Sequence, residues 1–138
     1  MKFIPFLPTL LLAGTIATVA PAKTYTCEIT PAGSGAWIPE VVVVNHDEST
    51  GKVVVLDPII KFYKDAPIEG RVGTDNARRT TFNWVLEDIT VVAGAQRVFV
   101  NGFSFSLTVR KASHRASMSS TPLGYANRDR GDGRCTVE

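Results

Sequence analysis

The sequence predicts an all-β domain, either a single antiparallel β-barrel or a β-sandwich of about eight short strands, closed by a terminal disulfide. Three observations predict it. Apolar residues recur with the period of strands, and no stretch carries a long helical stripe. Proline, glycine and other turn formers punctuate the apolar runs at short intervals. Two cysteines, Cys27 and Cys135, lie near opposite ends of the 138-residue chain.

The elements follow in order. Thr24 to Ile29 is a first strand, and the loop Thr30 to Pro39, rich in Pro, Gly and Ser, carries Trp37. Glu40 to His46 and Lys52 to Asp57 hold two β-branched runs joined by a polar loop, which predicts a hairpin. Pro58 precedes a short run from Ile59 to Tyr63, read as a further strand, and a Lys64–Pro67 turn leads into a strand from Ile68 to Gly73. Next, Phe82, Trp84 and Leu86 share a face, with Val85 an apolar exception on the other. In the partner strand Phe99, Phe103, Phe105, Leu107 and Val109 share a face opposite Gly102, Ser104, Ser106 and Thr108. This alternation predicts half-buried antiparallel sheet, with the small residues toward solvent. His114 to Ser119 and Gly133 to Val137 make a closing pair, with Arg128 to Gly133 as the turn between them. The expected core is Val41, Val43, Val53, Val55, Ile60, Phe62, Phe82, Trp84, Leu86, Phe99, Phe103, Phe105, Leu107 and Val109.

Met1 to Ala22 reads as a cleaved secretory signal: a cationic start, an apolar stretch from Phe3 to Val19, then the small residues Ala20-Pro21-Ala22. Its prolines and the absence of a following basic cluster argue against a stable membrane span. Residues 23–138 then form one domain, expected to be periplasmic or secreted. An even number of cysteines in an exported chain favours pairing, so a Cys27–Cys135 disulfide is expected, laying the first and last strands side by side.

Composition excludes disordered tails, collagen-like repeats, disulfide-dense miniproteins and multi-span membrane proteins. The chain holds 15 basic and 13 acidic residues, and loss of Lys2 with the signal leaves about +1. That balance implies no nucleic-acid partner. Basic residues cluster at Arg78-Arg79, at Arg110-Lys111 with His114-Arg115, and at Arg128, Arg130 and Arg134. They read as solvated strand edges and loops.

Catalytic signatures are sparse. His46-Asp47-Glu48 sets an imidazole beside two carboxylates, but neighbouring turn residues rarely converge on one ion, so no metal site is assigned. Gly33-Ser34-Gly35 lacks the strand-to-helix context of a nucleophile elbow. Glu87-Asp88 points to opposite faces of a strand. No nucleotide-binding loop is present and no cofactor is implied. Arg130-Gly131-Asp132 spells a known adhesion tripeptide, a three-residue match that arises often by chance.

The most specific-looking loop is Thr74 to Thr81. Asp75 and Asn76 favour a turn there. Arg78 and Arg79 beside hydroxyls and potentially free backbone N–H groups could hold a carboxylate or phosphate. If the Tyr125–Arg128 loop lies at the same barrel mouth, Arg128 completes a cationic rim.

Tyr25-Thr26-Cys27 soon after a signal, and Cys135 just before the C-terminus of a β-rich chain, loosely resemble the bacterial periplasmic lysozyme inhibitors of the membrane-bound type. The likeness covers only those two ends and transfers no site residue. The sequence thus leads us to expect a non-catalytic binding module for a small ligand or partner protein, contacting it through Arg78, Arg79 and Arg128. The alternatives are an extracellular enzyme inhibitor with Trp37 as an aromatic anchor, or a small secreted hydrolase using His46 or His114.

Overall fold

The computed structural model describes residues 13–16, 22–93 and 96–138, and of residues 90, 92, 93 and 96–99 it describes the backbone alone. Most of the expected signal segment lies outside these residues. No described helix is long and apolar enough to cross a membrane.

The strands are β1 (Lys23–Pro31), β2 (Val41–Asp47), β3 (Lys52–Leu56), β4 (Ile68–Asp75), β5 (Arg79–Ala93), β6 (Gln96–Arg110), β7 (Arg115–Pro122) and β8 (Asp129–Val137), with one helix, α1 (Pro58–Lys64), between β3 and β4. Each strand runs antiparallel to its sequence neighbour and β8 returns to β1, so the sheet is a closed barrel. Of the two predicted architectures, the barrel is the one formed. Closure removes the free edges a sandwich would leave.

The seam is fixed by chemistry. Cys27 and Cys135 are direct partners in the β1–β8 register and form the disulfide, with Cα atoms 3.9 Å apart. Two residues earlier on β8, a Cβ on Gly133 would land on the Glu28 carbonyl oxygen. Glycine there lets the two backbones approach closely. Gly131 is similar, because a Cβ would stand 2.9 Å from the Thr30 carbonyl oxygen. Residues 129–133 are therefore strand rather than the expected turn, and Arg130-Gly131-Asp132 is paired between β7 and β1.

Inside, Phe82, Trp84, Leu86, Phe103, Phe105, Leu107 and Val109 are buried as the alternation predicts. The phase of β2 is the reverse of expectation: Val42 and Val44 are buried, whereas Val41 is 41% exposed. An unbroken valine run has no alternation to read. Register decides instead, because Val42 pairs with Cys27 and Val44 with Tyr25, both inward on β1. Beyond Leu86 the inward phase of the long hairpin also shifts. Asp88 takes a left-handed conformation, and Gly102 has a φ of 153° and lies over the Leu86 carbonyl. Ile89 and Val100 then face inward and both Glu87 and Asp88 are exposed, correcting the opposite-face reading of that pair. The Phe99 side chain lies outside the described residues.

The run expected as a fourth strand is α1. Asp57 is its N-cap, with Oδ1 accepting from the Ile60 N–H at 2.8 Å, and Pro58 stands in the first turn where its missing N–H costs nothing. Asp65 ends it in the left-handed region. A strand would have buried alternate residues; the helix buries Ile60 alone and leaves Phe62 80% exposed. Ile60 helps to fill one end of the barrel. Trp37 stacks there on Phe103 at 4.4 Å and on Tyr63 at 6.4 Å, while its backbone N–H donates to Asp129. Trp37 is packed as a cap on the core.

Candidate functional site

Two charged regions stand out, one at the barrel mouth opposite α1 and one on its outer wall. At the mouth, charges are matched. Lys23 Nζ meets Glu48 Oε1 at 2.8 Å, and Lys111 Nζ meets Asp75 Oδ1 at 2.7 Å. Thr80 donates its hydroxyl to Asp75. Bonding to Lys23 holds the Glu48 carboxyl below its ordinary range, and bonding to Lys111 does the same for Asp75.

The His46-Asp47-Glu48 triplet separates here. His46 points inward, 4% exposed, with its ring edge-on to Phe82 and Nδ1 without a hydrogen-bond partner in the protein. Asp47 turns back to accept from the backbone and hydroxyl of Ser49, which lowers its pKa. Glu48 is held by Lys23. His114 is exposed at the β6–β7 turn, lines the mouth with Lys111, and accepts the Cys135 N–H through its carbonyl. The described residues hold no group of three His, Cys, Asp or Glu side chains able to share a metal ion.

The outer wall of β5 to β8 is arranged differently. Arg79 pairs with Arg110 across β5–β6, and Arg115 pairs with Arg134 across β7–β8. The β6–β7 register, in which Val109 faces Ala116, sets Arg110 beside Arg115. Four arginines thus occupy one row across four strands, spaced about 4.8 Å per strand, and all four are exposed. Glu28, opposite Arg134 on β1, ends the row. Among the described residues no arginine is within 4.0 Å of a carboxylate; the two ion pairs both use lysine.

Below this row lies a hydroxyl floor. Thr81, Thr108 and Ser117 are successive cross-strand partners, with Thr81 and Thr108 hydroxyls 2.9 Å apart, and Asp132 continues that line. Asn83, Ser106, Ser119 and Arg130 form the next. Three shallow grooves share Thr108 and Ser117. The largest, about 650 Å³, runs between Arg110, Arg115 and Arg134. One of about 410 Å³ is walled by Arg78, Arg79 and Arg110, and one of about 200 Å³ by Arg128 and Arg130.

The three sequence-predicted residues are placed accordingly. Asn76 Oδ1 accepts the Arg78 and Arg79 N–H groups at 2.9 and 3.0 Å, so those backbone donors are spent in the turn and only the guanidinium groups are offered. Arg128 belongs to the β7–β8 connection, at the other end of the barrel from the β4–β5 turn. The two loops do not meet at one mouth, so the condition for a shared cationic rim is not met; Arg128 and the Arg78–Arg79 pair flank adjoining grooves of the outer wall. Arg110, Arg115 and Arg134 were visible only as separate basic clusters. Each occupies the solvent parity of its strand, and register brings them together.

Comparison with known proteins finds no matching family model, no similar curated protein and no matching solved structure.

Proposed function

We propose that the chain is a non-catalytic binding module that holds an anionic ligand on the outer wall of β5 to β8. The observation that carries the reading is the row Arg79–Arg110–Arg115–Arg134. Like charges placed directly opposite one another in a sheet are destabilising, so folding alone does not account for them. A bound anion would remove the repulsion and use the forked guanidinium donors. The disulfide is consistent with an oxidising, exported compartment, and the module is proposed to work in the periplasm or outside the cell.

The test is retention on an immobilised polyanion at low salt. R115Q, R134Q and R78A/R79A should each weaken retention. Lys52→Gln, at the start of β3 away from the wall, should leave it unchanged. Equal losses from Lys52→Gln and R115Q would reduce the effect to net charge and overturn the assignment.

A further inference from the structure

We infer that the ligand of this wall is an acidic polysaccharide, a chain of sugars bearing carboxylate or sulfate groups; this rests on the anion-binding reading above and specifies it.

Length is the first argument. The four row arginines span three strand spacings, about 14 Å, whereas a single carboxylate or phosphate is satisfied by one or two guanidinium forks. The row therefore fits anionic groups repeated along an extended polymer. The grooves between them are shallow and continuous across Thr108 and Ser117, as a chain lying on the surface requires.

The floor supplies the second argument. Thr81, Thr108, Ser106, Ser117 and Ser119 present hydroxyls, each able to donate and to accept. A sugar ring has the same dual character at every free hydroxyl, while a phosphodiester or polyphosphate backbone offers acceptors alone.

Asp132 supplies the third. It is exposed beside Ser117 and has no ion-pair partner within 4.0 Å among the described residues. A carboxylate set into the floor accepts hydrogen bonds from sugar hydroxyls, donors that polyphosphate does not have. Stacking points the same way: single-stranded nucleic acid is gripped through aromatic faces as well as phosphates, but Phe82, Trp84, Phe103 and Phe105, the described aromatic side chains of β5 and β6, are buried. Among the described residues the strongly exposed rings, Phe62 and Tyr125, lie on α1 and the β7–β8 connection, at the far end from the arginine row.

The experiment measures binding of the disulfide-intact chain to four probes at low salt: heparin, polygalacturonate, inorganic polyphosphate and duplex DNA. Heparin and polygalacturonate should bind more tightly than the two phosphate polymers. S106A/S117A/S119A should weaken the two glycans about tenfold, the size of effect expected from losing one or two net hydrogen bonds, and leave polyphosphate unchanged. D132N should strengthen polyphosphate binding more than glycan binding, because only the glycans lose a hydrogen-bond acceptor with it. Circular dichroism melting of each variant checks that the fold persists. If polyphosphate or duplex DNA binds as tightly as the glycans, with no response to the serine changes, the anionic wall stands and the polysaccharide assignment is overturned. If none of the four probes binds, the anion-binding reading itself falls.

Discussion

The mouth and the outer wall of the same barrel use charge in opposite ways. At the mouth two lysines meet carboxylates, Lys23 with Glu48 and Lys111 with Asp75, and these pairs tie the N-terminal strand to the β2–β3 loop and the β6–β7 turn to the end of β4. On the wall, arginine faces arginine across successive strands, with one glutamate at the end of the row. Complementary exposed pairs contribute a little to folding, and a like-charged row opposes it. The difference separates charge that the fold uses from charge that the fold carries for something else.

Breaking the seam tests how far the wall depends on the barrel. Removing the disulfide with C27A/C135A frees a closure of 108 residues, and the loop-entropy model places the loss at about 4 to 5 kcal/mol. Denaturant titration should show that loss, and partially unfolded protein should bind no polyanion, because register alone assembles the arginine row. Trp37→Ala comes next. As a cap stacked on Phe103, it should cost about 2 to 3 kcal/mol, below the range for a fully buried tryptophan, and leave polyanion binding intact. Loss of binding without loss of stability would instead make Trp37 a partner anchor. Gly133→Ala, which sets a methyl group against the Glu28 carbonyl, should cost about 1 to 3 kcal/mol by the same titration.

Smaller effects distinguish the two charged regions from each other. Asp75 has its pKa lowered below 3.8 by Lys111, so its contribution is present above that value and is lost as pH falls through the lower, folded one. Thermal melts of Asp75→Asn and the parent chain should differ at neutral pH and converge below pH 3.8. On the wall the sign reverses. Added salt should stabilise the parent chain by screening the arginine row, and that salt benefit should shrink in R110Q/R115Q.

Much of the fold is legible in the sequence because strand parity is a local signal. Phe82-x-Trp84-x-Leu86 and Phe103-x-Phe105-x-Leu107-x-Val109 state which side chains face inward, and the two cysteines name the strands that meet at the seam. The β2 phase was not legible, since Val41 to Val44 look alike and their burial is set by pairing with β1. Where α1 forms, a strand is the expectation because Ile59-Ile60 and Phe62-Tyr63 weigh as β-formers. The Asp57-Pro58 pair carried the competing cap signal. The candidate site was legible in parts. Parity places Arg79, Arg110, Arg115 and Arg134 on the outside, but that they are neighbours follows from three inter-strand registers, which no local pattern states. Arg128 does not join Arg78 and Arg79 at one mouth for the related reason that alternate loops of an up-and-down barrel emerge at opposite ends.

The central claim is that the arginine row is kept for binding at the expense of folding. Its most direct test is a paired measurement on R110Q/R115Q at low salt, the melting temperature and the affinity for heparin. The account predicts a melting temperature equal to or above that of the parent chain together with at least a tenfold loss of affinity, roughly the size expected from removing two charge-assisted contacts. A lowered melting temperature with undiminished affinity would contradict it, returning the row to the architecture of the barrel.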